Sequence, residues 1–194
     1  MAFVQRTGQE TLLRSEKLPA IKIRIDPRFK YAGSTSFILY EIARVEQHHF
    51  VVANAGRRVE QLLWFQFEGY LEDNDRRYRY PPMERMTIDG LTFLHDAGVL
   101  NIDEDYKERP TSDSAHVVEF LKAHGYTLDG DTMFKRLVWL DPDLRNELMI
   151  IYSEDLRPTG FRAADLAEGG SQSEHWSSMS EALHRRALAS FSAG

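Results

Sequence analysis

The residues best suited to chemistry lie in the segment EQHHF at positions 46–50. Successive side chains of a strand point to opposite faces, so Glu46 and His48 would share one face with Arg44, whereas His49 would lie on the other. A carboxylate beside an imidazole can orient a general base that titrates near neutral pH. We therefore predict His48 as a catalytic base with Glu46 as its partner. The alternative is that His48 lies on a solvated, charged face.

Two other histidine-containing pairs are weaker candidates. His95 and Asp96 are adjacent, and neighbours at the end of a strand rarely face each other, so we expect a loop hydrogen bond there. His116 and Glu119 are three residues apart and can share one face of a helix, which resembles half of a metal site. A di-metal bundle needs several such helices and the sequence offers one, so we expect no metal.

A run of alternating basic and aromatic residues, RRYRY, occupies positions 76–80. Guanidinium groups pair with phosphate or carboxylate, and rings offer faces for stacking, so this run is either an anion site or a solvated rim loop. Arg79 is its ligand-binding candidate. The formal net charge of −6 and the acidic residues within 72–75 favour a small acidic ligand and oppose binding of nucleic acid.

Aromatic residues make up 11% of the chain. A buried Tyr or Trp combines an apolar body with one polar group, which suits a ligand pocket, although any single ring can equally fill the core. The aromatic set considered is Tyr40, Trp64, Tyr70, Tyr78, Tyr80, Tyr126, Trp139 and Tyr152. From it, and from the face that carries His48, we select Tyr40, Arg44, Trp64 and Tyr70 as ligand-binding candidates. Tyr40 is also the expected proton donor if the site is catalytic.

Several classes of site are excluded or unsupported. The chain has no Cys, which excludes disulfides, thiolate catalysis and iron–sulfur clusters. The common nucleotide-binding, esterase and metalloprotease motifs are missing, so no cofactor is expected. No stretch approaches the roughly 18 apolar residues of a membrane helix, and the first residues have no apolar signal core. We therefore expect a cytoplasmic protein without a membrane partner.

Strands are predicted to position these candidates. Period-two alternation of Ile21, Ile23 and Ile25 predicts one strand, and the β-rich stretch after it predicts strands near 34–42, 44–53 and 58–71. A competing pattern at three- and four-residue spacing would make residues 36–49 a helix. We prefer the strands.

Turn residues predict two hairpins. Asp89-Gly90 lies between apolar arms at 85–94, and a Pro142 turn joins strands at 133–140 and 147–153. Serines 112–114 can cap a helix at 114–124, and Trp176, Met179, Leu183 and Ala187 form the apolar stripe of a C-terminal helix.

The predicted fold is α+β, with a mainly antiparallel, strongly curved or barrel-like sheet of about eight strands, one central helix and a C-terminal helix. Its expected parts are an N-terminal arm (1–20), a sheet domain (21–156) and a C-terminal loop and helix (157–194). A sheet that curls to protect its edges forms a cavity.

This architecture favours a small-molecule-binding protein that holds a partly apolar, aromatic or anionic ligand. The first alternative is an enzyme that uses Glu46 and His48 in the same cavity. The second is a protein-interaction module that uses the C-terminal helix. Exposed sheet edges also favour pairing, so we expect a homodimer.

Overall fold

The structure of the chain, a computed structural model, describes residues 6–194. The strands of this part are, in chain order, β1 (Arg6–Gln9), β2 (Leu12–Glu16), β3 (Ala20–Ile25), β4 (Lys30–Leu39), β5 (Ala43–Ala53), β6 (Val59–Tyr70), β7 (Glu84–Ile88), β8 (Leu91–Asn101), β9 (Asp131–Leu140), β10 (Asn146–Asp155) and β11 (Phe191–Ala193). The α-helices are α1 (Ile102–Glu108), α2 (Asp113–Ala123), α3 (Ala163–Leu166) and α4 (Trp176–Ala189). The fold is thus α+β.

Seven strands form the larger sheet, in the order β4-β5-β6-β10-β9-β8-β7, and all neighbours are antiparallel. The three predicted strands between residues 34 and 71 are confirmed as β4, β5 and β6, and the helical alternative for residues 36–49 is wrong. Asp89 and Gly90 join β7 to β8 with φ angles of 48° and 74°. This left-handed conformation is the one that a two-residue Asp-Gly hairpin requires.

The smaller sheet has the order β1-β2-β3-β11. The alternating isoleucines of β3 are buried as predicted, and β11 brings the end of the chain beside them, with Phe191 opposite Ile25. Part of the expected N-terminal arm therefore forms two strands of a sheet. The first five residues of that arm lie outside the described residues.

The elements form three layers, with the seven-stranded sheet in the middle. One face of this sheet, here called the small-sheet face, packs on the smaller sheet and on α4 through a large apolar cluster that includes Phe50, Phe65, Ile23 and Leu183. The other face, here called the α2 face, packs on α2 through a smaller cluster that includes Trp64 and Val117.

The C-terminal helix is confirmed as α4, and it packs on its own chain. Trp176 and Met179 are partly buried against the large apolar cluster, and Leu183 and Ala187 belong to it. The stripe that could have bound a partner is therefore covered by the protein's own core.

Two features differ from the predicted fold. The described strands form two open sheets, eleven strands in total, instead of one curled sheet of about eight. Covering both faces of the larger sheet buries its apolar side chains without curling. The acidic segment 101–113, for which no helix is predicted from the sequence, contains α1. No helix in the described part of the chain is both long and apolar enough to cross a membrane.

Candidate functional site

An apolar pocket of about 170 Å³ lies on the α2 face, between the seven-stranded sheet and the helices α1 and α2. The sheet contributes Trp64, Phe134 and Met149, and the helices contribute Ile102 and Val117. Charged and hydroxyl groups also line it, namely Arg109, Asp113, Ser114 and Arg136. A pocket with an apolar lining and a few polar groups is the usual form of a small-molecule site.

The wall of the pocket formed by α2 is fixed by a helix cap. The side chain of Ser112 accepts a hydrogen bond from the backbone N–H of Ala115 at 3.2 Å, as the predicted N-cap requires. Ser114 Oγ donates to Asp105 Oδ2 of α1 at 2.7 Å, which ties the two helices together. The cap and this hydrogen bond therefore fix the position of the helical wall of the pocket.

Trp64, which lines this pocket, carries a polar group that is unpaired within residues 6–194. The residue is 6% exposed, and its indole Nε1 has no hydrogen-bond partner among the described residues. A buried N–H without a partner costs about 1–3 kcal/mol of stability. A ligand oxygen placed against the indole would remove that cost.

A buried acidic network adjoins the pocket. Glu68 of β6 and Glu147 of β10 lie directly opposite each other across the two strands. Tyr78 Oη donates to Glu68 Oε1 at 2.9 Å, and Tyr80 Oη donates to Glu147 Oε2 at 2.8 Å. Gln66 Nε2 also donates to Glu68, at 2.8 Å. Every one of these contacts places a donor on a carboxyl oxygen.

Burial raises the pKa of both carboxyl groups well above the ordinary glutamate value. For Glu147 the negative charge of Glu68 raises the pKa further, and Asp113 contributes in the same direction to both. Two neighbouring buried carboxylates cannot both ionise cheaply. The pair therefore retains protons near neutral pH, and the charge beside the pocket is smaller than its residue types suggest.

The loop that supplies the two tyrosines shows how the RRYRY run is used. Tyr78 is buried and Tyr80 half-buried, whereas Arg76, Arg77 and Arg79 are exposed. The alternation of residue types thus becomes an alternation of inward rings and outward charges. The guanidinium of Arg145 donates to the backbone carbonyls at positions 71 and 74, which fixes the turn that comes before the RRYRY run.

A second chemical arrangement lies on the opposite, small-sheet face. His48 Nε2 donates to Glu46 Oε1 at 2.8 Å, and His48 Nδ1 lies 3.0 Å from the hydroxyl of Tyr31. His48 is 1% exposed and Glu46 8% exposed, whereas Tyr31 is half-buried. The predicted same-face pair is thus hydrogen bonded, and Tyr31 extends it into a chain of three groups.

The chain matches no protein-family model, and no curated protein or solved structure is significantly similar to it. Its function is therefore inferred from the chemistry of its own residues.

The predicted site residues are distributed over both faces of the large sheet. Trp64 and Tyr70 lie on the α2 face, where Tyr70 stacks on Tyr78 with ring centroids 4.4 Å apart. Arg44 is on the small-sheet face with Glu46 and His48, because strand register places it there. His48 and Trp64 are thus separated by the sheet and do not line one hollow.

The other two ligand-binding candidates lie at the surface. Tyr40 is 56% exposed in the turn between β4 and β5, and Arg79 is exposed in the loop after β6. Neither residue lines the pocket beside Trp64.

The weaker histidine pairs form separate contacts. His95 Nδ1 lies 2.8 Å from Lys135 Nζ, whereas Asp96 pairs with Arg136 on the other face. His116 stacks on Phe37 and Glu119 accepts from Tyr106, so that pair does not act together. Within residues 6–194 no group of three or more acidic or histidine side chains is placed to hold a metal ion.

Several site residues were not predicted from the sequence, namely Tyr31, Glu68, Glu147, Gln66 and Arg136. The one signal that could have found them is the presence of polar residues in otherwise apolar strands, as with Gln66 and Glu68 in β6. Buried polar residues are rare enough to mark a site or a structural network.

Proposed function

We propose that this protein binds a small, mostly apolar ligand in the pocket between the seven-stranded sheet and α1–α2. The proposal rests on two observations: Trp64 lines an apolar pocket, and its buried indole N–H has no partner in the described part of the chain. The ligand would be a single aromatic ring that carries an oxygen acceptor.

The size of the pocket sets the size of the ligand. An apolar cavity of about 150 Å³ is enough to bind benzene, and this pocket measures about 170 Å³. Ring-lined walls formed by Trp64 and Phe134 suit a flat molecule.

The charges around the pocket favour a neutral acceptor. Arg136 is held by Asp96, and Arg109 by Asp105, so neither guanidinium is free of a carboxylate. The carboxylate of Asp113 also lines the pocket. A carbonyl or amide oxygen can accept from Trp64 without meeting these negative charges, whereas a carboxylate would be repelled.

The test compares three ring-sized probes by thermal stabilisation and calorimetric titration. Benzamide has a neutral acceptor, toluene has none, and benzoate carries a charge. We expect benzamide to bind most tightly, because it alone satisfies the indole N–H without charge repulsion. Binding to the native state raises the melting temperature as the probe concentration increases.

The matched variant is Trp64→Phe, which keeps a ring and removes the N–H. Benzamide affinity should fall about tenfold, the value of one hydrogen bond, while toluene affinity changes little. Trp139→Phe is the control, since Trp139 lies on the small-sheet face. Equal binding of benzamide by wild type and Trp64→Phe, or no binding of any probe, would refute the proposal.

Acid–base catalysis is the second candidate function, and the chain Glu46–His48–Tyr31 favours it. A carboxylate fixes the tautomer of His48, so that Nδ1 can accept a proton from the Tyr31 hydroxyl. Because His48 is almost fully buried, the half-buried Tyr31 is the group that a substrate would meet.

Hydrolysis of an activated ester such as p-nitrophenyl acetate would test this alternative. If Glu46, His48 and Tyr31 catalyse this hydrolysis, the rate should drop about a hundredfold in His48→Gln. It should be unchanged in His124→Gln, because His124 is exposed. Equal rates in the two variants would indicate that Glu46, His48 and Tyr31 form a structural hydrogen-bond chain.

A further inference from the structure

A second cavity, a cleft of about 520 Å³, lies on the small-sheet face between the strands β7–β9 and α4. The strands contribute Glu84, His95 and Lys135. α4 contributes Glu181, His184 and Arg185, which one face of a helix presents together. The seven-stranded sheet separates this cleft from the pocket of Trp64.

Lys135 is the unusual residue of this cleft. It is 5% exposed, whereas Lys30, Lys107 and Lys122 are exposed. Its Nζ lies 2.8 Å from His95 Nδ1, and no carboxylate of the described residues forms an ion pair with it. An ammonium group that is buried without a carboxylate is unstable relative to the neutral amine.

The surrounding charges do not compensate for this burial. Glu84 is 86% exposed and therefore well screened, and Asp96 already pairs with Arg136. His184 faces the same space, with its ring centroid 5.8 Å from that of His95. From α4, Glu181 and Arg185 bring opposite charges that largely cancel.

This environment shifts both nitrogen bases toward their unprotonated forms. Burial lowers the pKa of the Lys135 amine. Burial also lowers the pKa of His95. The unprotonated amine is the nucleophilic form of lysine, and a neutral imidazole beside it can accept a proton.

We propose that Lys135 is a reactive amine that forms an imine with a small aldehyde or ketone bound in the cleft, with His95 transferring the protons. Arg185 on α4 would hold a carboxylate on the same ligand. The substrate class is therefore a small oxo acid.

Imine formation proceeds through a carbinolamine. The lone pair of Lys135 Nζ attacks the carbonyl carbon, a C–N bond forms, and His95 Nδ1 accepts a proton from the nitrogen. The oxygen takes up a proton from the solvent to give a carbinolamine. His95 then returns its proton to the hydroxyl group, which leaves as water while the C=N bond forms. The products are the protonated imine and one water molecule, with no oxidant or reductant consumed.

The test uses glyoxylate, the smallest oxo acid with an aldehyde, and cyanoborohydride, which traps the imine as a stable amine. Peptide mass mapping of the wild-type protein reports the modification of each lysine. Because the unprotonated fraction of an amine rises about tenfold for each unit by which its pKa falls, Lys135 should be labelled severalfold more than exposed Lys122 at pH 7. Labelling of Lys135 equal to or below that of Lys122 would overturn the proposal.

Two variants locate the chemistry. In Lys135→Arg, which removes the nucleophilic amine and keeps a long side chain, the preferential label should vanish while exposed lysines react as in wild type. In His95→Gln, labelling of Lys135 should slow severalfold and shift to higher pH, because the proton acceptor is gone. If His95→Gln labels at the wild-type rate with the wild-type pH profile, His95 has no part in proton transfer.

Discussion

His48 and Trp64 are both buried polar rings, and their hydrogen bonding differs. Both ring nitrogens of His48 lie within hydrogen-bond distance of a partner, whereas Nε1 of Trp64 has none among the described residues. A satisfied group is typical of structure or of prepared catalysis, and an unsatisfied one is typical of a ligand site. This contrast is the reason for placing the ligand beside Trp64.

The pair Glu46–His48 was predictable because alternation along a strand is a local property. Tyr31 was not, because its position beside His48 depends on the pairing of β4 with β5 and on the irregularity at Tyr31/Gly33. The pairing of Glu68 with Glu147 likewise depends on β6 lying next to β10, which are far apart in the chain.

Gly8 tests the packing around the histidine chain. A Cβ atom there would lie 2.6 Å from the ring and hydroxyl of Tyr31 and 2.9 Å from His48 Nδ1. We expect Gly8→Ala to lower the free energy of unfolding by about 1–3 kcal/mol, because these atoms must move. Urea denaturation measures the change.

Gly56→Ala is the control for this substitution, since its nearest contact, Asn54 Oδ1, lies at 3.4 Å. It should be close to neutral. If Gly8→Ala is equally neutral, β1 does not pack against Tyr31 as described.

At the level of secondary-structure elements, the sequence predicts the strands and helices whose apolar residues recur with a strong periodicity. β3, the central strands and α2 follow from alternation, turn residues and a serine cap. α1 was missed because its acidic residues resemble those of a loop, although Asp103 and Glu104 in a first turn stabilise a helix N-terminus capped by Asn101. β1 and β2 lack an apolar pattern strong enough to predict them, and they depend on the pairing of β2 with β3 and of β1 with β2.

The docking of α4 is tested by Leu183→Ala. Leu183 is fully buried in the large apolar cluster, so its truncation should cost about 2–5 kcal/mol of unfolding free energy. The solution mass should stay that of wild type, because the contact is within one chain. Chemical denaturation and light scattering measure the two quantities.

Exposed Glu181→Ala on the same helix is the matched control, and it should change stability by less than about 0.5 kcal/mol. A Leu183→Ala protein with unchanged stability but a lower solution mass would show that α4 docks on a second copy instead.

At the level of the whole molecule, the sequence predicted a curled sheet with a cavity at its mouth, whereas the pocket of Trp64 and the cleft of Lys135 lie outside an open sheet. The strand count and hairpins come from local signals. The way in which layers cover a sheet is set by contacts between distant segments, such as β11 on β3, and no local pattern encodes it.

The acidic network makes the stability of the whole molecule pH dependent. Burial raises the pKa of Glu68 from 4.5 to about 7 and that of Glu147 to about 8. Between the ordinary pKa of 4.5 and these raised values, Glu68 and Glu147 hold protons in the folded protein that they have released in the unfolded chain. The free energy of unfolding should therefore fall as the pH rises from about 5 to about 8.

Glu147→Gln keeps an acceptor for Tyr80 and removes one titrating group. At pH 8 it should be more stable than wild type by about 1–3 kcal/mol, with a flatter pH profile. Glu60→Gln, an exposed position on the same strand as Glu68, should leave the profile unchanged. A wild-type profile in Glu147→Gln would mean that the carboxyl pair is ionised at neutral pH.

The central claim is that a ligand oxygen meets the indole N–H of Trp64. The most direct measurement is the NMR signal of the three tryptophan indole N–H groups during titration with benzamide. The account predicts that the Trp64 resonance, assigned with Trp64→Phe, moves downfield to saturation while those of Trp139 and Trp176 stay in place. A stationary Trp64 resonance at saturating benzamide would contradict it.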